Sequence, residues 1–467
     1  MRKISLPHIF WSFIISLGFA NAQIIHSQPE TAKDTSTLGY FFGKGRFYGH
    51  ARSYVSGTIN EGSLTDYHAW VIGAGIGYQT PRFLKRFQVG VSVFFMFNIE
   101  TSDLLKPDPS ANQPNRYEIG LFNIERPNDY KDLDRLEELF LKTHLGKKSV
   151  LVVGRQVPQT PFINPHDGRM RPTLVESAVL DLNEWKNLSF HAEYIWRMSP
   201  RSTMRWFDIG QTIGLYPVGL GIDGKPSQYK NNLESKGILI GGVTYQKNKW
   251  NIQFWDTYVE NILNTSHLKI EWKTKPFAGK NWLLGAQYTH QQRAGDGGNP
   301  DPAKTYVQSN AGADVFSGRV GQQSPRFDWF LNGTRITARG RYLLPREWGK
   351  EPFYTFMPRE RNEGFGDLTA VSVNTFFKPR KNIRIEVSGG YFKLPDVSNV
   401  ALNKYAMPPY SQLNLSFNYQ FGPYLKGLNA QLLVVRKDYL GNDYLKPQYV
   451  FNKVNMTHLN LIINYYY

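Results

Sequence analysis

The stretch SQLNLSFNYQF, residues 411–421, alternates polar and apolar side chains without a break. In an extended chain, successive side chains point to opposite sides, so one face is apolar and the other is polar. The apolar row is Leu413, Leu415, Phe417, Tyr419 and Phe421, and the polar row is Gln412, Asn414, Ser416, Asn418 and Gln420. In a soluble sandwich the apolar row would face the core, whereas in a membrane barrel it would face lipid and the polar row would line a lumen.

The same period of two recurs along the chain, which is typical of strands and not of helices. It is clear at residues 87–97, 188–197, 267–273 and 383–388. Eighteen such segments can be counted, beginning near residues 46, 65, 86, 133, 148, 173, 187, 235, 249, 265, 281, 303, 325, 366, 381, 408, 426 and 449. An even number of antiparallel strands can close a single-chain barrel with both termini on the same side.

Short connections alternate with long ones. Short ones lie at 183–187, 246–250 and 379–381, and long ones rich in Gly and Pro lie around 101–131, 157–172, 200–234, 294–304 and 338–365. Outer-membrane barrels have tight periplasmic turns and longer external or infolded loops. Only a closed barrel satisfies every backbone group of a strand in the bilayer. The sequence therefore predicts an all-β transmembrane antiparallel β-barrel of about eighteen strands with infolded loops.

The N-terminus has the pattern of a secretory signal. MRKISLPHIFWSFIISLGFANAQ places two basic residues before an apolar run from Ile9 to Phe19 and a small-residue cleavage site at Ala22. A membrane anchor is the alternative, but the run is about half of the roughly 20 apolar residues that span a bilayer. We divide the chain into a signal peptide at 1–22, a short N-terminal segment at 23–45 and a barrel at 46–467.

One part of the sequence resembles the OprD-type family of bacterial outer-membrane porins. The stretch KTHLGKKSVLVVGRQVPQTPFINPHDGRMRPTLVESAVLDLNEWKNLSFHAEYIWRMSPRS begins at residue 142 and carries the pattern Lys148, Gly154, Gln156 and Pro158. In that family, a strand with this pattern runs into an infolded third loop. The last strand, MTHLNLIINYYY, is similar to the C-terminal strand of bacterial outer-membrane proteins, whose terminal aromatic residue, here Tyr467, is read by the barrel-assembly machinery.

The resemblance implies an eighteen-stranded channel that is narrowed by infolded loops and by a ladder of basic residues on one wall of the lumen. Such channels pass small solutes, often carboxylate-bearing ones such as amino acids and peptides. The loop at 345–366 departs from the better-known members of the family. It is interpreted either as a surface that faces lipopolysaccharide or a partner, or as part of the pore entrance through Arg359 and Arg361.

Basic residues on the lumen wall and in the infolded loop are the candidates for selectivity, because rings of basic groups favour anions and a low-dielectric wall focuses their field. Arginine is preferred for a carboxylate, since its planar fork donates two hydrogen bonds at once. The predicted constriction residues are Arg46, Arg52, Arg155, Asp167, Arg169, Arg171, Arg197 and Arg384. The alternative is that these charges only pair along the wall, as Arg384 could do with Glu386.

The function predicted from the sequence is passive uptake of small hydrophilic solutes across the outer membrane of a Gram-negative bacterium. No catalysis, cofactor, metal ion or nucleic acid is expected, because His residues such as His68, His191 and His458 are scattered and the basic residues are dispersed. The expected partners are small solutes, outer-membrane lipid, lipopolysaccharide and the barrel-assembly machinery. The alternatives are a barrel enzyme of the lipase or protease type and a soluble secreted β protein.

Overall fold

The computed structural model describes residues 38–131, 133–166 and 168–467, and it shows a closed antiparallel barrel. The signal peptide predicted at 1–22, and most of the segment predicted at 23–45, lie outside the described residues. In the described part of the chain, no helix is long and apolar enough to cross a membrane.

The described chain is almost entirely strands and their connections. Its elements are α1 (Leu38–Lys44), β1 (Arg46–Asn60), β2 (Tyr67–Gln79), β3 (Phe87–Thr101), β4 (Arg135–His144), β5 (Val150–Gln156), β6 (Leu174–Leu182), β7 (Leu188–Ser199), β8 (Phe207–Asp208), β9 (Ile238–Lys247), β10 (Trp250–Val259), β11 (Leu263–Lys273), β12 (Asn281–Arg293), β13 (Gly312–Gln323), β14 (Phe327–Ile336), β15 (Leu368–Arg380), β16 (Ile383–Lys393), β17 (Tyr410–Gln420), β18 (Leu428–Tyr439), α2 (Pro447–Val450) and β19 (Met456–Tyr466). Short 3-10 helices lie at Glu118–Leu121, Ile209–Thr212 and Pro423–Leu425.

Eighteen of these strands form the wall of the barrel, and the two-residue β8 pairs only with the end of β7. Each wall strand is antiparallel to its neighbours, and the ring closes between β1 and β19, from His50 opposite Tyr466 to Asn60 opposite Met456. Gly49 and Tyr467 extend this seam with two backbone hydrogen bonds of 3.1 Å. The wall therefore has no open edge, as a lipid environment requires.

Strand β17 contains most of the stretch that alternates without a break, and it shows which face meets lipid. Leu413 and Leu415 are 55% and 47% exposed on the outer surface, whereas Gln412 and Asn414 are 3% and 1% exposed. The amide groups of both polar residues donate to the carbonyl of Pro358, at 2.8 and 3.1 Å. Since Pro358 belongs to a loop inside the barrel, the polar row faces the interior. The prediction that the apolar row faces outward is confirmed.

The predicted strand starts agree with the structure to within three residues, except at two places. The starts predicted near 303 and 449 lie at Gly312 and Met456. At the first place, the residues after 303 form a loop, in which Tyr306 packs into a buried apolar cluster. At the second place, Pro447 begins helix α2, so the strand starts later.

The two ends of the barrel differ in their connections. At one end, which we call the short-turn end, the connections run from two residues at 381–382 to seven at 80–86. The barrel begins and finishes at this end, which faces the periplasm by the general rule for outer-membrane barrels. The opposite end, which we call the long-loop end, carries the connections at 102–134, 200–237 and 337–367.

Two long loops fold into the barrel, and we call residues 157–173 the first infolded loop and residues 337–367 the second. Ile163 of the first and Trp348 of the second lie in one buried apolar cluster with Ile238 at the start of β9. The first was predicted to be infolded, whereas for residues 345–366 an external surface was an alternative, and the structure places this segment inside. Its apolar side chains, among them Trp348, are buried in the barrel, so the long-loop half is packed rather than uniformly wet.

Candidate functional site

The two infolded loops meet inside the barrel and form a partition across its lumen. The backbone N–H of Asn164 donates to the carbonyl of Trp348 at 3.2 Å. The Thr173 hydroxyl donates to the carbonyl of Glu347 at 2.7 Å. The two infolded loops are therefore bonded to each other inside the barrel.

On the long-loop side of the partition lies a cavity of about 660 Å³, which we call the vestibule. Loops from six connections line it together with side chains of β17 and β18. Its cationic side chains are Arg116, Arg169, Arg201, Arg346, Arg359, Arg361, Lys404, Lys437 and Lys453. Among the described residues that line it, Glu360 is the only acidic one. Charge of one sign in a low-dielectric cavity concentrates ions of the opposite sign, and the excess charge of the side chains that line the vestibule is positive.

Part of this positive charge is neutralised by Glu363, which lies just behind the cavity wall and is 1% exposed. Its carboxylate accepts a hydrogen bond from Arg346 Nε at 2.7 Å and from the Tyr405 hydroxyl at 3.0 Å. The Lys404 ammonium is 3.6 Å from the same carboxylate. Burial lowers the pKa of Lys404 to about 8, while Glu363 opposes that shift. We call these four residues the Glu363 network.

A second anchor joins the second infolded loop to the wall. Arg359 donates to the Tyr54 hydroxyl at 2.5 Å and to the amide oxygen of Asn460, which lie on β1 and β19. Lys437 of β18 donates to the carbonyl of Arg359 at 2.7 Å and lies 3.7 Å from a Glu360 carboxylate oxygen. These contacts hold a cationic segment of the loop against the wall at the seam of the barrel.

Arg116 and Lys453 of the vestibule lack a carboxylate partner among the described residues. Arg116 lies with its guanidinium 5.9 Å from the centre of the Tyr117 ring. The Lys453 ammonium donates only to carbonyl groups, at 2.9 Å to Gln448 and 3.1 Å to Tyr405. Burial lowers the pKa of Lys453 to about 7, and the positive charge of Arg116 adds to the effect. An anionic solute would relieve this repulsion.

Two of the sequence-predicted residues, Arg52 and Arg169, are brought together beside the partition. Arg52 of β1 donates to Asn464 Oδ1 at 2.6 Å and also to the carbonyl of Arg169. Arg169 in turn donates to the carbonyl of Tyr117 and lines the vestibule. These two arginines therefore connect the wall, the first infolded loop and the connection at 102–134.

The other loop residues predicted with Arg169 are placed differently. Arg171 is 2% exposed and lies behind the loop, where its Nη2 donates to the carbonyl of Phe94 at 3.3 Å and its Nε contacts Met96 Sδ at 3.2 Å. Burial lowers the pKa of Arg171 to about 9. Asp167 lies outside the described residues.

Arg155 and Arg197 are not brought together with the vestibule. Arg155 is two residues after Val153 on β5, so it points to the same outer face, where Val153 is exposed. Its Nε donates to a carboxylate oxygen of Glu176 at 2.8 Å. Arg197 lies 4.0 Å from the same carboxylate and 3.5 Å from Asp208. The structure therefore places both arginines in an ion-pair cluster on the outer face near the long-loop end.

Arg46 and Arg384 face the lumen, but near the short-turn end. Arg46 lines a cleft of about 380 Å³ together with Glu138 and Lys142. Arg384 lies 4.0 Å from Glu386, and its guanidinium is 4.4 Å from the centre of the Phe376 ring. This pairing is the wall contact that was considered as an alternative for Arg384.

Most cations of the vestibule were not predicted from the sequence. The alternation of side chains predicts which face a residue takes only within strands, and most of these cations lie in loops. The missed loop residues are Arg116, Arg201, Arg346, Lys404 and Lys453. These residues come from five different connections, and nothing local to any one of them indicates that they share a cavity. In the described part of the chain, no group of His, Cys, Asp or Glu is placed to hold a metal ion.

The fold and the loops can be compared with known proteins. Residues 130–320 match the family model described as outer membrane porin, OprD family. Over these residues the chain is similar to OprD-type porins. The partial family match and the fold point to a channel rather than an enzyme, and to the outer membrane of a Gram-negative bacterium as its location.

Solved structures share the architecture of this barrel at low sequence identity. OpdK of Pseudomonas aeruginosa, solved with vanillate, is 14% identical with a TM-score of 0.69, and the match covers 91% of this chain and 99% of that one. OccAB3 of Acinetobacter baumannii is 16% identical with a TM-score of 0.67 and the same coverage. OccK2 of Pseudomonas aeruginosa, in complex with glucuronate, is 12% identical with a TM-score of 0.66 over 91% and 98% of the two chains. No curated protein sequence matches the chain.

Two buried carboxyl groups of the second infolded loop make its anchoring depend on pH. Burial raises the pKa of Glu351 and of Glu360 from 4.5 to about 7. The packed loop binds these protons more tightly than a released loop, so this stabilisation is complete below about 4.5 and is lost as the pH rises through 7. We expect the current through single channels in planar bilayers to fluctuate less at pH 5 than at pH 7, because the loop moves less.

The double variant Glu351→Gln, Glu360→Gln imitates the protonated carboxyl groups. Its single-channel current should show the same small fluctuations at both pH values. Glu61→Gln, at an exposed carboxylate on the rim, should behave like the natural chain. The measurement is not extended above pH 7, because Lys453 has a pKa of about 7 and loses most of its charge above that value. Equal noise of the natural chain at pH 5 and pH 7 would contradict this account.

Proposed function

We propose that this OprD-type barrel is a diffusion channel that favours small anionic solutes, and carboxylate-bearing ones in particular. The observation that carries the proposal is the vestibule, where nine cationic side chains face one acidic one among the described lining residues. An anion that enters from the long-loop end replaces water with several guanidinium and ammonium donors before it reaches Arg52 and Arg169. Charge-assisted hydrogen bonds of this kind select for carboxylates.

The solved neighbours support the same class of solute. OpdK was solved with vanillate and OccK2 with glucuronate, and both compounds carry a carboxylate group. The vestibule of this chain adds aromatic side chains to its cations, among them Tyr405 and Tyr410. Cations and rings together can hold a carboxylate and pack against the carbon skeleton of the same solute.

The conduction route in this proposal leads from the vestibule past the Arg52 and Arg169 pair to the cleft beside Arg46. The guanidinium of Arg52 belongs to the wall, whereas Arg169 belongs to the first infolded loop, so the passage between them changes when either moves. Arg384, at the short-turn end, is then an exit residue. Arg155 and Arg197 stabilise the outer rim and take no part in selectivity.

The test is the permeability ratio of chloride to potassium, measured from the reversal potential of reconstituted protein in a planar bilayer under a salt gradient. The natural chain should favour chloride, because the vestibule is positive. The double variant Arg116→Gln, Lys453→Gln removes two cations without a carboxylate partner and should move the ratio toward one. Arg205→Gln, at an exposed arginine paired with Glu125 outside the vestibule, is the matched control and should leave the ratio unchanged.

Two results would contradict this function. One is a natural chain that favours potassium. The other is a ratio that stays the same in the Arg116→Gln, Lys453→Gln variant, since the charge of the vestibule would then not decide selectivity. A protein that conducts no ions at any voltage would contradict the channel itself.

A further inference from the structure

The connections at the short-turn end carry a ring of basic side chains. These eight connections lie at 80–86, 145–149, 183–187, 248–249, 274–280, 324–326, 381–382 and 421–427. Each contains at least one Lys or Arg, and together they contain twelve, against one acidic residue, Glu184. All twelve cationic residues are exposed. We call these twelve residues the basic ring.

The basic ring has no counter-charge of its own in the described part of the chain. None of its cations forms an ion pair with an Asp or Glu of the described residues. The one carboxylate of these connections, that of Glu184, accepts the backbone N–H groups of Lys148 at 2.8 Å and Ser149 at 3.0 Å. Several exposed cations at the long-loop end lie beside carboxylates instead, as Arg205 does at 2.7 Å from Glu125. The charge of the short-turn end is therefore available to anions outside the protein.

Five of the eight connections also expose large apolar side chains, which we call the apolar tips. They are Leu84, Leu145, Trp185, Phe277, Tyr424 and Leu425. Phe277 is 85% exposed and Leu84 is 72% exposed. Each tip lies within two residues of a cation of the basic ring. Apolar side chains beside Lys and Arg are typical of segments in a membrane interface, where the apolar group packs against lipid and the charge meets the headgroups.

The apolar tips are spread around the barrel and do not form one patch. They follow β2, β4, β6, β11 and β17, which are separated from one another in the ring of strands. A stable protein partner needs a contiguous surface, typically of about 800 Å² on each side. A membrane leaflet surrounds the barrel and contacts all of the tips at once. The distribution therefore favours lipid over a protein as the occupant.

Aromatic side chains of the wall mark the membrane boundary at this end. Trp250, Trp282 and Phe327 lie in the first two residues of β10, β12 and β14 and are exposed on the outer face. The centre of the Trp282 ring is 5.8 Å from that of Trp329. Belts of aromatic residues lie at the boundary between acyl chains and headgroups. The connections just beyond this belt therefore reach the headgroups, where the phosphate groups carry negative charge.

We propose that the basic ring binds the headgroups of anionic phospholipids in the periplasmic leaflet, with the apolar tips inserted between the lipids. Lys and Arg side chains near an anionic bilayer surface each add to the attraction. The opposite rim, where exposed cations are paired with carboxylates, contributes no such preference. This inference goes beyond the proposed function, because it involves neither the vestibule nor conduction.

The experiment measures lipid association by electron spin resonance, with spin-labelled phosphatidylglycerol or phosphatidylcholine added to the full chain in phosphatidylcholine vesicles. The natural chain should associate with phosphatidylglycerol about twofold more strongly, because only the lipids at one rim meet the basic ring. The ratio should fall toward one in about 0.5 M salt, which screens exposed charges. It should also fall toward one in the Gln variant, which is Lys85→Gln, Lys147→Gln, Lys275→Gln, Lys280→Gln, Lys426→Gln.

The matched control replaces the same five lysines by arginine. This Arg variant keeps the charge of the basic ring and should keep the preference for phosphatidylglycerol. A second control, Arg205→Gln with Glu125→Gln, removes an exposed ion pair from the long-loop end and should leave the preference unchanged. All of these side chains are at the surface, so migration on unheated gels should show folded barrels in every case.

The proposal is overturned if the natural chain associates equally with both lipids, or if the Gln and Arg variants have the same preference. Sedimentation with purified peptidoglycan tests the other anionic occupant at this end. Peptidoglycan binding that is lost in the Gln variant, together with equal association of the two lipids, would make that polymer the occupant and also overturn the proposal. These measurements need no current, so their outcome is independent of the anion preference of the vestibule.

Discussion

Replacing residues 352–361 by Gly-Gly should raise the single-channel conductance several-fold. An eighteen-stranded barrel without infolded loops encloses an open aqueous channel, so the conductance of this protein is set by what fills it. The replaced segment spans the interior. Gln287 of β12 donates to the carbonyl of Pro352 at 3.0 Å, and Tyr354 donates to Glu271 of β11 at 3.0 Å.

The replacement is compatible with the fold, because the two ends of the segment are already close. The Glu351 carboxylate accepts the backbone N–H of Asn362 at 2.5 Å. The wall strands keep all of their pairing, since the segment contributes no strand. Conductance is measured in planar bilayers with the natural chain alongside.

Shortening the connection at 441–445 is the matched control for this deletion. That segment is also at the long-loop end but lines no described part of the vestibule, and Tyr444 within it is 83% exposed. Its loss should leave the conductance unchanged. If the 352–361 replacement conducts no better than the control, the second infolded loop does not limit the current.

The wall of the barrel could be predicted because the direction of each strand side chain depends only on its position along the strand. Each strand residue takes the face opposite to its neighbour, so Leu413 and Asn414 could be assigned to lipid and lumen from their positions alone. The rule fails where the chain leaves the strand geometry. A strand was predicted to start near residue 303, but Tyr306 lies in a loop and packs into an apolar cluster instead of pairing in the sheet.

The vestibule was less predictable, because it is made by contacts between loops that are far apart in sequence. Arg116, Lys404 and Lys453 come from three connections, and nothing local to any of them indicates that they share a cavity. Arg155 shows the reverse case. It lies near the end of β5, next to the first infolded loop. However, the alternation of side chains along β5 directs it to the outer face, where it donates to Glu176. Arg52 could be assigned to the lumen side because it lies within a strand and on its polar face.

The Glu363→Ala variant should lower the free energy of unfolding by about 3–5 kcal/mol, which is typical when one partner of a buried ion pair is removed. The substitution leaves Arg346 and Lys404 buried side by side without their shared carboxylate, and it also removes the acceptor of the Tyr405 hydroxyl. Denaturant titration of the protein in lipid vesicles measures the change, since folded barrels migrate differently from unfolded ones on unheated gels.

The comparison that decides whether burial causes this effect is Glu125→Ala. Glu125 is also bonded to an arginine at 2.7 Å, but the side chain of that residue, Arg205, is 61% exposed. Exposed pairs contribute about 0–1 kcal/mol, because water solvates both charges once the pair is broken. Glu363→Gln should lie between the two, as it keeps a hydrogen-bond acceptor but loses the charge. If Glu363→Ala costs no more than Glu125→Ala, the Glu363 network does not hold the loops in the barrel, and the cations of the vestibule must be fixed by their backbone contacts alone.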